Sequence, residues 1–496
     1  MKKILFVIFI GFILRFFLLS QFPYRLDGDA GQIATSSIRV WQDRSPLFAT
    51  SWYGYHNLYF YINGFFIHLF KDKIFGLRFL SALGGALSIL TTYLLVKKLF
   101  DEKTALCASF ILSIMPLHLA YSRNGLDIIH LAWITPLILY FVIQGIRKNP
   151  LFLYFAGIFL GISQYLYVAS RFIPLLVLFS YFVLCYKRMS FLKTIKGVAI
   201  ILISALMVYG PMVHYFIFID KTAFSARIHS VSILSNVQFK IKPIYDLLSK
   251  QIINCYSVFF VNVDAAAKIH YSAIKYLPVT GSILLVIGIL YSFLKKRKTS
   301  LIIFFWLALS IFLGSVLTVS SPQPPRYVIV LPALSIFMAI GFKLLHELIS
   351  NWKFKKTILF MFIILIFASF LYDYYSEDNN NWMKYDINTQ IATFAARNIV
   401  CNEDNCDLYF LGNKNISFSS VPSLPYVTGR TAIDINDPVN SYLSEIIKSG
   451  KKNKVFIVIP ERESEVDTLN KIFPHAKIRR FVNKYSDYLF TLIEVS

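Results

Sequence analysis

Carboxylates are scarce in this sequence: 27 Asp and Glu stand among 496 residues, and charged residues of both signs make up only 16%. Soluble domains carry roughly 25% charged residues. A chain that is 56% hydrophobic, with a mean hydropathy of +0.58, therefore has the composition of a membrane protein. Cysteine is also rare. Five residues are too few for a disulfide framework, and Cys107, Cys185 and Cys255 fall in or beside apolar runs, where a free thiol acts as a small hydrophobe. Cys401 and Cys406, in Cys-Asn-Glu-Asp-Asn-Cys, close a small loop if that region faces an oxidising compartment. A Gly-rich phosphate loop, zinc-ligand spacing and a Gly-x-Ser-x-Gly elbow are all missing, so nothing in the sequence points to nucleotide binding, zinc or a serine hydrolase.

Basic residues are plentiful, with a net charge of +23. They cluster in short stretches between apolar runs: Lys2-Lys3, Lys97-Lys98 with Lys103, Arg147-Lys148, Lys187-Arg188, Lys295 to Lys298, and Lys353 to Lys356. The positive-inside rule produces this pattern, which removes the need for a nucleic-acid partner. Met-Lys-Lys before an apolar run imitates a signal peptide, but Leu19-Ser20-Gln21-Phe22-Pro23 offers no small-residue cleavage site, so a retained signal anchor is expected.

Spans need about 20 apolar residues. The candidates are 4–20, 78–96, 104–120, 128–146, 151–169, 171–186, 196–218, 276–294, 300–319, 327–348 and 357–375. The sequence thus predicts an α-helical polytopic membrane protein of about 11 transmembrane helices. The run 58–70 is apolar but short. Counting it as a span would move the later basic clusters to the outer face, so it reads as an interfacial helix with Tyr55, Tyr59 and Tyr61 at headgroup level. This topology brings the stretch 24–31, the turn 121–127, the loop 219–275 and the turn 321–327 to the outer face. Residues 1–375 form the membrane domain, with a first outer loop at 21–77. Ser376 to Asn381 reads as a linker. Residues 382–496 alternate helical patterns near 386–399, 437–449 and 462–472 with strand-like runs 408–411, 455–459 and 488–493, an α/β pattern around a small sheet. The expected C-terminal unit, 376–496, is a soluble α/β domain outside the membrane.

Asp27 and Asp29 stand just beyond the first span, where carboxylates are costly if they sink into lipid. One reading makes them caps for a helix beginning near Ala30. Two acids at i and i+2 cannot both play that part, however, and Gly28 between them allows close approach of a ligand. The other reading is therefore a catalytic centre. Arg123 and Asp127, four apart at a turn, form either an i,i+4 ion pair or a phosphate contact with a carboxylate that orients it. Arg326 either snorkels to the headgroups or binds phosphate. His56, His118 and His130 lack ligand spacing and read as structural from spacing alone.

Several stretches carry a resemblance. They are Leu26-Asp-Gly-Asp-Ala-Gly31, Trp52-Tyr-Gly-Tyr-His-Asn-Leu-Tyr-Phe-Tyr61, Phe75 to Gly85, Tyr121-Ser-Arg-Asn-Gly-Leu-Asp127, and Pro325-Arg-Tyr-Val-Ile-Val-Leu-Pro332. In these the chain resembles the protein O-mannosyltransferase-like, polyprenyl-phosphate-sugar-dependent glycosyltransferases of the GT-C superfamily. The resemblance covers roughly residues 1–375 and is strongest in the first 145. The family's Asp-Glu pair reads Asp29-Ala30 here, with Asp27 two residues earlier. The resemblance implies inverting sugar transfer from a polyprenyl-phosphate donor to a glycan, lipid or protein acceptor on the outer face of the plasma (inner) membrane. The N-terminus would then be cytoplasmic and the C-terminal domain extracytoplasmic. It implies Asp29 as general base with Asp27 as helper, and Arg123, Asp127, Arg326, Tyr327 and His56 on the donor's phosphate or sugar. A divalent metal is left open. A transporter or flippase of lipid-linked sugars would place charges near the membrane midplane, whereas these spans are nearly free of acids. A non-catalytic scaffold would not gather polar residues on one face. A polymerase or ligase of lipid-linked sugars shares the carrier but not the acidic first loop.

Overall fold

The computed structural model describes residues 2–235, 244–260, 276–295, 298–319, 321–380, 383, 387–401, 405–449 and 451–496. Parts of the loop 219–275, of the basic cluster 295–298 and of the linker ending at Asn381 lie outside the described residues. The chain opens with helices α1 (Lys2–Phe16), α2 (Gly28–Gln42), α3 (Asn57–Leu69), α4 (Lys73–Leu99), α5 (Glu102–Ile114) and α6 (Pro116–Ser122). Each of the expected apolar segments falls on a helix. Among the described residues, seven helices are long and apolar enough to cross a membrane, or eight when α5 and α6 count as one bent span. α1 and the helices Leu151–Ser163 and Val279–Leu294 are 15, 13 and 16 residues long, short of the roughly 20 that cross a bilayer untilted.

Local chemistry explains several boundaries. Asp72 caps α4 by accepting from the backbone N–H of Phe75 at 2.9 Å, and Lys97 and Lys98 occupy its last turn, at the negative end of the helix dipole. The expected straight span 104–120 is instead broken: α5 and α6 meet at 62° around Met115-Pro116. Proline cannot donate the next helical hydrogen bond, so a new helix starts there. The run 58–70 forms α3, which packs on α2, with Trp41 Nε1 donating to the Tyr61 carbonyl at 2.9 Å. Tyr59, expected at headgroup level, is instead buried in the helical core. Helix Val279–Leu294 lies against Leu331–Leu348 at Gly288 and Gly341, where a Cβ would collide with the carbonyls of Phe337 and Leu284. Small residues let membrane helices come this close.

The C-terminal region builds a five-stranded sheet from β1 (Cys406–Leu411), β2 (Ile433–Ile435), β3 (Asn453–Val458), β4 (Lys477–Val482) and β5 (Tyr488–Val495). Their order is β2-β1-β3-β5-β4. β1 pairs in parallel with β2 and β3, and β5 is antiparallel to β3 and β4. Leu408 and Phe410 enter one core and Tyr409 and Leu411 another, so the central strands are covered on both faces and read as continuous apolar runs. The expected strands 408–411, 455–459 and 488–493 correspond to β1, β3 and β5. β2 is only three residues long, and β4, Lys-Ile-Arg-Arg-Phe-Val, is an exposed edge strand whose basic residues hide its pattern. Cys401 and Cys406 form a disulfide at the head of β1. Leu26 and Ile74, from the membrane half, are buried in the same cluster as the sheet residues Leu408 and Phe410.

Candidate active site

α2 begins where its sequence says it should. The Asp27 carboxylate accepts from the backbone N–H groups of Asp29 at 2.9 Å and Ala30 at 3.3 Å, and Arg25 lies 3.9 Å from its other oxygen. Asp27 is therefore the N-cap of α2 and is buried. Asp29 sits in the first helical turn and, with Ile33 one turn later, lines a cavity of about 310 Å³.

Five other segments complete this cavity. The turn before the fourth span contributes Leu126, Asp127 and Ile128. Gly125, at φ +81, makes the turn, a backbone conformation that side chains resist. Asp127 is buried, and its Oδ2 has no hydrogen-bond partner among the described residues. Tyr167 and Arg171 come from the start of the next span but one. The Arg171 guanidinium donates to the Phe224 carbonyl at 2.7 Å and lies 4.3 Å from that ring. Helix Lys221–Val231 brings Arg227, whose Nε is buried without a hydrogen-bond partner among the described residues. This helix is tied to the far wall by the backbone bonds Ile233 N to Leu317 O, 3.1 Å, and Val319 N to Val231 O, 2.8 Å. That wall holds Arg326, which donates to the Val319 carbonyl at 2.8 Å, Ser321 Oγ at 2.7 Å and Thr318 Oγ1. Trp52 and Tyr55, stacked 5.3 Å apart, form an aromatic floor.

The charges in this space are coupled. Burial would lower the pKa of Arg227, but Tyr55, Tyr167, Asp29 and Asp127 together raise it, so the guanidinium stays cationic. Burial lifts the phenol of Tyr55 well above its usual range, helped by Asp127 and opposed by Arg227. The Tyr55 phenol therefore remains a neutral donor. The arrangement offers two carboxylates, Asp29 and Asp127, and three guanidiniums, Arg171, Arg227 and Arg326, around a largely apolar space. Such a space can hold a phosphate on the cations, a sugar on the aromatic floor, and a hydroxyl against an acid. Among the described residues no group of three or more His, Cys, Asp or Glu side chains gathers in a way that could hold a metal ion, and no step is assigned to one.

Of the seven residues singled out by sequence, Asp29, Asp127 and Arg326 line the cavity. The other four make different contacts. Asp27 caps α2. Arg123 donates to the carbonyls of Leu14, Phe17, Leu18 and Phe22, at 2.8 Å for Phe17 and Phe22, which ties off the C-terminal end of α1 instead of reaching the cavity. Helix ends leave such carbonyls orphaned, and a cation there also suits the helix dipole. Tyr327 is buried and donates to the Cys255 carbonyl at 3.0 Å. His56 faces Tyr209 Oη at 3.1 Å, and burial followed by the nearby Arg171 lowers its pKa to about 3. Sequence reasoning missed Arg227, Arg171, Trp52, Tyr55 and Tyr167. The length and polarity of loop 219–275 marked the region of Arg227, but nothing in Ala226-Arg227-Ile228 marked the residue.

Comparison with known proteins agrees with this architecture. Residues 57–215 match the family described as dolichyl-phosphate-mannose-protein mannosyltransferase, a stretch that includes Asp127 and Arg171 and begins after Asp29. The structure of ArnT from Cupriavidus metallidurans bound to undecaprenyl phosphate superposes with a TM-score of 0.54 and 13% identity, over 99% of this chain and 97% of that one. Its apo state gives 0.53 and 12% over the same shares. The apo oligosaccharyltransferase of Archaeoglobus fulgidus gives 0.52 and 13%, over 99% of this chain and 74% of that one. No curated protein matches the sequence. The fold is that of the GT-C membrane glycosyltransferases, which the chain also resembles in sequence over residues 57–215.

Proposed function

We propose that the protein transfers a sugar from a polyprenyl-phosphate donor to an acceptor hydroxyl at the outer surface of the cell membrane, with inversion at the anomeric carbon. In this reading Asp29 takes the proton from the acceptor hydroxyl as its oxygen attacks C1. The bond from C1 to the phosphate oxygen breaks, and the electron pair leaves with the lipid phosphate. The charge on that phosphate grows from about one to two, and Arg227 and Arg326 stabilise it. The observation that carries the proposal is that Asp29 and these two guanidiniums line one cavity, with Leu313, Leu317 and Phe172 supplying apolar wall for the start of a lipid chain. Asp127, buried beside them, orients the acceptor or donor hydroxyls through its free oxygen. The ArnT structure that shares the fold holds undecaprenyl phosphate, which is the carrier chemistry proposed here.

The outer-face assignment is supported by the basic ends of the helices. Lys97 and Lys98 end α4, whose other end leads back to the segment carrying α2 and α3. The C-terminal sheet, packed on Leu26 and Ile74, then lies outside with its Cys401–Cys406 disulfide.

The test is single-turnover release of polyprenyl phosphate by the full-length protein in vesicles, given radiolabelled polyprenyl-phosphate sugars. Wild type should transfer the label from at least one donor and Asp29→Asn from none. A fully active Asp29→Asn protein overturns the assignment of the base.

A further inference from the structure

Three guanidiniums grip the irregular backbone between α1 and α2. Arg123 holds Phe17, Leu18 and Phe22, and Arg78 donates to the carbonyls of Leu19 at 2.9 Å and Arg25 at 2.8 Å. The third comes from the other half of the chain. Arg397, in helix Ile387–Asn398, donates from Nε to the Tyr24 carbonyl at 3.0 Å and from Nη2 to the Ser20 carbonyl at 3.3 Å, and lies over the Tyr24 ring at 4.5 Å. Thr393, one turn earlier on the same helix, accepts from the backbone N–H of Leu26 at 3.1 Å. We propose that Arg397 is a positioning residue for Asp29, so that the C-terminal sheet region belongs to the scaffold of the active site; this rests on Asp29 being the base.

The segment 17–26 has no regular structure to satisfy its carbonyls, and buried backbone groups need partners. The carbonyls of residues 17, 19, 20, 22, 24 and 25 accept from these arginines and the Leu26 N–H donates to Thr393, while the Leu18 carbonyl also accepts from the backbone N–H groups of Gln21 and Phe22. The segment leads directly into Asp27, whose carboxylate in turn fixes the backbone of Asp29. Arg397 therefore acts on Asp29 through a short chain: guanidinium, carbonyls of 20 and 24, cap, first turn. A planar fork that reaches two carbonyls restrains the loop in two directions, which a lysine point charge cannot reproduce. The same helical end is pressed from the other side, where a Cβ on Gly31 would collide with the backbone of Ser423. The C-terminal region thus touches the acidic segment before and after the cap.

The test uses the full-length protein in vesicles and compares Arg397→Ala, Arg397→Lys and Asp29→Asn. Arg397→Ala should lower kcat by between about tenfold and a hundredfold, the range expected for a misplacement near 1 Å, with donor KM within about twofold of wild type. Added methylguanidinium should restore part of that kcat and none in Asp29→Asn, while Arg397→Lys falls between. Hydrogen exchange should quicken at residues 24–31 and stay unchanged in β1 and β3. Wild-type kcat in Arg397→Ala beside an inactive Asp29→Asn overturns the positioning role and leaves the base intact. Exchange that quickens throughout β1 and β3 overturns it too, because the loss is then one of folding. An active Asp29→Asn protein removes the base on which both rest.

Discussion

The carboxylate of Asp27 accepts the backbone N–H of Asp29 at 2.9 Å, so one acid of the pair holds the other in place. This gives the two residues different mutational signatures. Asn is as good a helix cap as Asp, whereas Ala costs about 1 kcal/mol at such a position. Asp27→Asn should therefore keep most of the transfer activity, Asp27→Ala should lose thermal stability and some rate, and Asp29→Asn should lose the reaction. Initial rates and thermal unfolding of the three proteins check this.

The arginines divide in the same way. Arg227 and Arg326 line the cavity, and a hydrogen bond to a charged group contributes about 1.5–3 kcal/mol. Arg227→Ala should lower kcat/KM for the donor by roughly tenfold to a hundredfold, with the unfolding midpoint near wild type. Arg123→Ala should do the reverse. It orphans the carbonyls of Leu14, Phe17 and Phe22, each costing about 1–3 kcal/mol when buried without a partner, so the midpoint falls first. Donor titrations beside melting curves separate the two outcomes.

Gly31 is a contact between the two halves of the chain. Its Cβ position is occupied by the backbone of Ser423, and backbone cannot swing aside as a flexible side chain can. Gly31→Ala should destabilise the protein by about 1–3 kcal/mol, the usual cost of overpacking, and should raise protease sensitivity of the C-terminal region before that of the helices. Limited proteolysis with mass mapping measures the order of cleavage.

His56 predicts a pH dependence. Burial lowers its pKa from 6.5 to about 3, so between those values the unfolded chain binds a proton that the folded protein does not. Stability then rises with pH across that window and falls as the medium is acidified below about 6.5. Replacing His56 by Gln, which keeps a hydrogen bond to Tyr209 within reach, should flatten the slope of unfolding midpoint against pH between pH 4 and 6. An unchanged slope would remove His56 as its source.

Much of this architecture follows from the order of residues alone. Apolar runs of span length, basic clusters at alternate ends, and alternation of strands and helices after residue 400 are local properties, set by hydropathy and by period. They identified the helices and three of five strands. The bend at Pro116 was written in one residue, but an apolar run on both sides concealed it. β4 was concealed because an edge strand need not be apolar.

The candidate site was legible only where chemistry is local. Asp29 and Asp127 could be found because a carboxylate at a membrane boundary is expensive wherever it stands, and Arg326 because prolines isolate it at the mouth of a span. What those residues do depends on which groups come near them, and that is set by packing across hundreds of residues. For Arg123 the spacing allows an ion pair or a phosphate contact, and the fold instead sets the carbonyls at the end of α1 beside it. No local pattern marks Arg227, whose neighbours in the fold are Tyr55, Tyr167, Asp29 and Asp127. Arg397 lies 373 positions from Tyr24, and no pattern in either stretch announces the other. Sequence by itself determined a membrane bundle with scarce acids set at the ends of spans and an α/β tail, because hydropathy and periodicity act over a few turns. Only the tertiary structure decided which acid faces the cavity and which arginines bind backbone, because a guanidinium takes a carbonyl or a phosphate according to what the fold brings within 3 Å.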